Sequence, residues 1–94
     1  MDIRHETIKK KGEFVINDGG KRVGKLSYLR SSENEITIYH TEIDESLRGE
    51  RLGEDLVEAA VKYARENNLK IVPKCPFAKH MIDDRPEFKD VLKG

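Results

Sequence analysis

Apolar and polar residues alternate along the first half of the chain, a period typical of half-buried β-strands. One alternating run ends in Asn-Asp-Gly-Gly at residues 17–20, whose glycines supply the positive φ angles of a tight hairpin turn. A second run covers residues 22–30 and a third covers residues 35–43, with a polar break at residues 31–34. The pattern predicts an antiparallel meander, and it leaves open whether residues 3–9 form another strand.

Alternation within residues 35–43 assigns its side chains to two faces of the predicted strand. One face is expected to carry Ile36, Ile38, His40 and Glu42. The other face is expected to carry Thr37, Tyr39, Thr41 and Ile43.

The hydrophobic period changes to three and four residues after position 50, which predicts an amphipathic helix from about Leu52 to Ala64. Acidic residues crowd its first half and basic residues follow, an order that suits the helix dipole. Residues 69–72 are a short apolar run typical of a buried strand, so a βαβ unit with a parallel pair is expected. Short helical turns are expected at residues 77–83 and 87–92.

Length and charge narrow the class of protein. Ninety-four residues predict one small domain that spans residues 1–94. Eighteen Lys and Arg balance eighteen Asp and Glu, which gives no basis for a nucleic-acid partner or an anionic membrane. No apolar run approaches the length of about 20 residues that spans a bilayer. The chain has one cysteine and no apolar secretion signal, so the cytoplasm is the expected compartment.

Residues 47–53, Leu-Arg-Gly-Glu-Arg-Leu-Gly, connect the strongest predicted strand to the strongest predicted helix. Such a loop leaves backbone N–H groups of the first helical turn unpaired, and with the helix dipole they form an anion site. Glycines permit the close approach of a phosphate, and Arg48 or Arg51 can add charge-assisted hydrogen bonds. An ordinary strand-to-helix turn with surface arginines is the alternative interpretation.

The order of these elements, with this loop, resembles the GNAT superfamily of N-acetyltransferases. The acetyl-CoA loop of that family has the pattern Arg/Gln-x-x-Gly-x-Gly/Ala. Arg48 and Gly53 match its first and last positions, and Arg51 stands where the family usually has its central glycine. The chain has His-Thr-Glu-Ile at residues 40–43, then this loop, then Lys-Ile-Val-Pro-Lys-Cys-Pro-Phe at residues 70–77 and Arg-Pro-Glu-Phe at residues 85–88. This order is similar to that of the short stand-alone GNAT-like proteins. The likeness extends from about residue 14 to residue 92.

This resemblance implies an α/β (α+β) fold with a mixed, mainly antiparallel sheet, one long helix and a short C-terminal helical tail. It implies acetyl-CoA, bound through CoA contacts in a gap between two splayed strands. The implied contact residues are Ile43, Arg48, Gly49, Glu50, Arg51, Leu52, Gly53, Pro76 and Phe77.

The function implied by the resemblance is transfer of an acetyl group from acetyl-CoA to a primary amine. The acceptor is expected to be a small molecule or a peptide. One alternative is a non-catalytic regulatory module that binds CoA or acyl-CoA, and another is an interaction domain that pairs through a strand edge.

Three residues are candidates for catalysis. Glu42 and His40 are two apart on a strand, so they share a face and either can accept the amine proton; an exposed strand pair is the alternative. In the superfamily the second wall often reads Asn-x-x-Ala-x-x-x-Tyr, and the tyrosine protonates the departing thiolate. Cys75 stands at the asparagine position and Ile82 at the tyrosine position. Cys75 is accordingly a nucleophile, a thiol that lines the site, or an inert buried residue.

The three histidines, His5, His40 and His80, are scattered without the spacing of metal ligands, so no metal is expected. The sequence leaves the oligomeric state and the identity of the acceptor open.

Overall fold

A five-stranded sheet in the order β1-β2-β3-β4-β5 forms the scaffold of the computed structural model, which describes residues 2–93 apart from the side chains of residues 48–50. The strands are β1 (Asp2–Ile8), β2 (Lys11–Asp18), β3 (Lys21–Ser32), β4 (Glu35–Ile43) and β5 (Lys70–Pro73). The helices are α1 (Leu52–Glu66) and α2 (Pro76–Asp83), with two 3-10 helices at Glu45–Glu50 and Pro86–Val91. Among residues 2–93, no helix is long and apolar enough to cross a membrane.

The first four strands form the predicted antiparallel meander, and β5 joins β4 in parallel through α1. Gly19 and Gly20 have φ angles of 58° and 85° in the turn between β2 and β3, as their sequence predicts. The N-terminal segment left open by the pattern forms β1, which a two-residue turn at Lys9 and Lys10 joins to β2. The expected mixed, mainly antiparallel fold is therefore confirmed.

Helix α1 covers one face of the sheet with its apolar stripe, and burying each large side chain contributes roughly 1.5–3 kcal/mol to folding. The buried residues of α1 are Leu52, Gly53, Leu56, Val57, Ala60, Val61 and Ala64. They share one core with residues of the sheet, chiefly Phe14, Ile16, Leu26, Ile36, Ile38 and Ile71. The C-terminal helices add Ala78, Ile82, Phe88 and Val91 to the same core.

A β-bulge interrupts the middle of β4. Ile38 pairs with Tyr28 and His40 pairs with Ser27, so Tyr39 has no partner of its own on β3. An extra residue of this kind shifts the alternation of the strand by one position. The residues that follow Tyr39 therefore point to the opposite faces from those that strict alternation predicts.

Side-chain contacts after the bulge show the same shift. Ile43 and Leu56 of α1 both approach Gly24, so Ile43 faces the covered side of the sheet. Thr41 contacts Cys75, a member of the core, on that same side. The other two residues of this segment lie on the open face, away from Ile36 and Ile38. The faces predicted for His40, Thr41, Glu42 and Ile43 relative to Ile36 and Ile38 are thus wrong, whereas His40 and Glu42 still share a face, as predicted.

Candidate active site

Strands β4 and β5 stay paired only as far as Ile38 and Pro73. Beyond that point the backbone N–H groups of Lys74 and Cys75 both donate to the carbonyl oxygen of Ile38, at 2.9 and 3.1 Å, and the chain turns into α2. In the described part of the chain, no strand lies beside residues 39–43 on this side of β4. Apart from the amide of Thr41, which interacts with Cys75, their backbone N–H and C=O groups on that side are therefore available to a ligand.

A cleft of about 600 Å³ opens at this point between the end of β4 and helix α2. Its walls are formed by Thr41, Glu42 and Ile43 of β4 and by Phe77 and Met81 of α2. Its mouth is formed by the start of α1, through Arg51, Gly53 and Glu54. The cleft occupies the gap in which the sequence resemblance expects a coenzyme.

Cys75 stands immediately before α2, with 8% of its surface exposed. Its Sγ lies 2.8 Å from Oγ1 of Thr41. Thr41 lines the cleft, whereas Cys75 does not, so the threonine side chain lies between the thiol and the cleft. Sequence reasoning missed Thr41, because strict alternation assigns it to the face away from Ile38.

The pKa of Cys75 is lowered by its surroundings. Burial is the largest single influence and raises this pKa, but the Thr41 hydroxyl and the backbone amides of Ala78, Phe77 and Thr41 together outweigh it. Two of these amides belong to the first turn of α2, where the helix dipole favours a thiolate. The position of Cys75 before a helix thus gives the thiol more thiolate character than burial alone would allow.

His40 and Glu42 lie on the open face of the sheet. Nε2 of His40 is 2.9 Å from Oε1 of Glu42, and this hydrogen bond is the main cause of the lowered pKa of Glu42. Nζ of Lys25 lies 3.9 Å from Glu42 and 3.6 Å from Glu13. The backbone of β4 separates this pair from Cys75, so the structure does not bring the three predicted catalytic residues together on one face.

Arg51 joins the first 3-10 helix to α1 in a left-handed conformation, with φ 61° and ψ 23°. A left-handed backbone costs a residue other than glycine roughly 1–2 kcal/mol. The same conformation explains why the GNAT loop pattern has glycine at this position. The first helical hydrogen bond runs from Asp55 N to Arg51 O at 3.1 Å, and none of the described side chains caps the helix. The N–H groups of residues 52–54 therefore remain available at the mouth of the cleft.

The carboxylate of Glu54 lies between two arginines at this mouth. Its Oε2 accepts hydrogen bonds from Nε and Nη2 of Arg51, at 2.8 and 2.5 Å, and from Nη2 of Arg85 at 3.0 Å. The Arg51 hydrogen bond is the main cause that holds the pKa of Glu54 below its usual value. The spacing of Arg51 and Glu54 is a detectable signal for one pair, whereas Arg85 lies 31 positions away and gives no local signal.

The remaining predicted coenzyme residues take different positions. Ile43, Arg51, Gly53 and Phe77 line the cleft, and the Phe77 ring packs so closely on Gly53 that a β-carbon there would overlap it. Leu52 is buried in the core and offers only its backbone. Pro76 begins α2 without lining the cleft. The side chains expected at Arg48, Gly49 and Glu50 lie outside the described residues.

Comparison with known proteins adds independent evidence. Residues 13–91 match the family model of the GCN5-related N-acetyl-transferase. Protein NATD1 of Danio rerio is 27% identical over 85 residues, which cover 89% of this chain and 77% of that protein.

Solved structures show the same likeness. The solution structure of a GCN5-like N-acetyltransferase candidate from Staphylococcus aureus is 35% identical and superposes with a TM-score of 0.73, over 97% of this chain and 88% of that one. The crystal structure of ribosomal-protein-alanine N-acetyltransferase from Brucella melitensis biovar Abortus is 15% identical with a TM-score of 0.66, over 93% of this chain and 64% of that one. The second likeness is one of fold alone.

Proposed function

Because the chain belongs to the GCN5-related N-acetyltransferase family, we propose that its cleft between β4 and α2 holds the acetyl group for transfer beside Thr41 and Cys75. The chain is an acyl-CoA-dependent N-acetyltransferase, and acetyl-CoA is its co-substrate. One observation carries the proposed site: an unpaired strand edge and an uncapped helix N-terminus open into the same cleft. The single cysteine is free, which suits the reducing cytoplasm that we propose as its compartment.

The residues present fit acetyl-CoA at both of its ends. The N–H groups of residues 52–54, with the guanidinium of Arg51, suit a diphosphate. The unpaired backbone of residues 39–43 suits an extended arm that contains amides, because such an arm can pair with a strand edge. The proposed contacts extend to Ile43, residues 48–53, Pro76 and Phe77.

Cys75 has two proposed roles that differ in chemistry. In the first, its thiolate attacks the acetyl carbonyl carbon; a bond forms between that carbon and Sγ, and the bond to the coenzyme sulfur breaks. The coenzyme then leaves as a thiol after taking up a proton, and an amine removes the acetyl group from Cys75. In the second, the amine takes the acetyl group directly and Cys75 only borders the site. Its lowered pKa and its contact with Thr41 support the first role.

We propose that the pair His40 and Glu42 removes the amine proton through water, because the backbone of β4 separates this pair from the thiol of Cys75. Glu42 is a lining residue of the cleft although its side chain lies on the open face, and the His40 hydrogen bond lowers its pKa, so its carboxylate suits an ammonium group at the rim but is a weak base. The His40 ring is within hydrogen-bond distance of Glu42, and imidazole is the side chain that most often acts as a general base. His40 is thus the proposed proton acceptor, and the proposed substrate is the primary amine of a small molecule or a peptide.

Intact-mass spectrometry after incubation with acetyl-CoA alone tests the role of Cys75. We expect one added acetyl mass on the wild-type chain and none on Cys75→Ser. An unmodified wild-type chain that still turns over an amine would instead support direct transfer. Full turnover by Cys75→Ser would overturn the nucleophilic role.

A titration with acetyl-CoA followed by amide chemical shifts tests the site itself. We expect the amides of residues 51–54 and 39–43 to shift together with saturable dependence on the coenzyme. Amides in both segments that stay unmoved would overturn the proposed site. A panel of polyamines, amino acids and lysine peptides, assayed by release of free CoA, then tests the acceptor class.

A further inference from the structure

The two edges of the sheet differ in how the rest of the chain covers them. At the β5 edge, Ile71 forms a parallel bridge with Leu92, and the backbone N–H of Lys93 donates to the carbonyl oxygen of Ile71 at 3.0 Å. At the opposite edge, every residue of β1 is exposed, and no other segment of residues 2–93 lies beside it. Within the described chain, the β1 edge is thus the one with free hydrogen-bonding groups along a full strand.

Strand β1 is long and regular. Its seven residues pair one to one with β2 without a bulge, and it contains no proline. Ile3 is 43% exposed and Ile8 is 76% exposed, on opposite faces of the strand. Natural edge strands are usually shortened, bent by a bulge, interrupted by proline or protected by charged side chains, because a regular edge invites pairing. β1 has only the last of these protections, through Asp2, Arg4 and Glu6.

The turn before β2 fixes which backbone groups of β1 point outward. Ile8 and Lys11 close a two-residue turn, so they form a hydrogen-bonded pair. Hydrogen-bonded and non-hydrogen-bonded pairs alternate along an antiparallel ladder. The N–H and C=O groups of Ile3, His5 and Thr7 therefore point away from β2.

We propose that two copies of this chain associate by antiparallel pairing of their β1 strands, with His5 opposite the partner's His5. In this register Arg4 of each copy lies opposite the partner's Glu6, on the open face of the sheet. A shift of two residues in one direction would place Arg4 opposite Arg4, and a shift in the other direction would place Glu6 opposite Glu6. Like charges directly opposite each other destabilise a sheet, so the charge pattern selects one register.

Pairing in this register satisfies the outward backbone groups of both strands. The His5 pair contributes two hydrogen bonds, and each of the two pairs of Ile3 with Thr7 contributes two more. The His5 ring stacks on Phe14 at 4.2 Å between centroids, so it lies over its own sheet and leaves the edge accessible. The cleft lies beside β4, three strands away from β1, so the proposed pairing leaves it open in both copies.

Sedimentation or light scattering from micromolar to millimolar protein tests this association. We expect the apparent mass to rise toward twice 10.8 kDa as concentration increases. Arg4→Glu and Glu6→Arg each create like-charge pairs, and each is expected to weaken the dimer by about tenfold. The double variant Arg4→Glu/Glu6→Arg reverses both pairs and is expected to recover the wild-type affinity. An equal mixture of the two single variants is expected to form a mixed dimer.

Lys62→Glu is the matched control, since it makes a similar charge change on an exposed position of α1. It is expected to leave the dimer unchanged. Amide hydrogen exchange adds a second readout: protection at Ile3, His5 and Thr7 should increase with concentration. A mass that stays monomeric up to millimolar protein would overturn the proposal. A dimer that is insensitive to both single variants, or not recovered by the double variant, would overturn this register.

Discussion

Two polar pairs lie at the end of β4, one on each face of the strand. Thr41 and Cys75 form the covered pair, where the sulfur is buried and backbone amides of α2 lower the pKa of the thiol. His40 and Glu42 form the open pair, where both side chains are more than half exposed and solvent screens the charge of Glu42. Substitutions at the covered pair are therefore expected to change the reactivity of the Cys75 thiol strongly. Substitutions at the open pair are expected to have only modest effects.

The bulge at Tyr39 creates this arrangement. Without it, strict alternation places His40 and Glu42 on the same face as Ile38, and Thr41 on the other. One unpaired residue thus decides which side chain meets the thiol. The chemistry of a strand end therefore depends on its register as much as on its residue types.

Deletion of Tyr39 is expected to have the largest effect. His40 would follow Ile38 directly, so the present pairs with β3 and the present faces are kept while the bend of a bulge is lost. We expect a folded sheet whose acetyl-CoA affinity falls by about tenfold or more, since about two backbone hydrogen bonds to the coenzyme are misplaced. Calorimetry with acetyl-CoA gives the affinity. An unchanged affinity would show that coenzyme binding does not depend on the bulge.

Thr41→Val removes the hydroxyl beside Cys75 with little change in shape. The pKa of Cys75 should rise, because a hydrogen bond that favours the thiolate is lost. We expect alkylation of the thiol at neutral pH to slow by about tenfold, followed as a rate against pH. Thr37→Val on the same strand is the control, because Thr37 bonds to Ser31 instead. Equal effects from both variants would contradict a specific contact.

Arg51→Gly changes the mouth of the cleft without touching either pair. We expect stability to rise by about 1 kcal/mol in urea unfolding, because glycine adopts the left-handed backbone without strain. Asn68→Gly is a matched control, since Asn68 also has positive φ at 55° but asparagine tolerates it, so a gain of only a few tenths is expected. Thiol alkylation should stay at the wild-type rate. A stability loss in Arg51→Gly would show that its pairing with Glu54 outweighs the strain.

Glu42→Gln is expected to have the smallest effect on stability. The folded pKa of Glu42 lies below its ordinary value, mainly because of the His40 hydrogen bond, so its contribution is present above the ordinary pKa. That contribution is lost as pH falls through the folded pKa. Unfolding measured against pH at low and high salt should show a shallower acid loss in the variant, and high salt should reduce the difference. A large salt-independent difference would contradict the open character of this pair.

Elements with one strong local signal could be predicted from the sequence. The hairpin at Gly19 and Gly20 follows from glycine chemistry, and α1 follows from a stripe of apolar residues at helical spacing. β1 could not be decided, because all of its side chains are exposed and burial leaves no pattern in them. β1 is stabilised mainly by backbone hydrogen bonds to β2, and these leave no periodic pattern in its side chains.

The position of the cleft was predictable and its contacts were not. By resemblance, the loop at residues 48–53 indicates the mouth of the cleft, and Cys75 indicates the start of the helix that forms one wall. The contact of Thr41 with Cys75 was not predicted, because threonine and isoleucine suit either face of a strand and the sequence of residues 35–43 does not indicate a bulge. Arg85 escaped because its contact with Glu54 is made through the fold and not along the chain.

The C-terminal segment of Leu92 and Lys93, which lies along β5, has a consequence for assembly. It makes the sheet asymmetric, because the β1 edge can accept a strand whereas the β5 edge is already occupied by this segment at Ile71. In the proposed dimer, the β1 edges of both copies are paired with each other, so no β1 edge is left for a third copy and the assembly is expected to stop at two. Displacing residues 92–93 from β5 would give each copy a second exposed sheet edge. The proposed dimer would then be able to extend into a polymer.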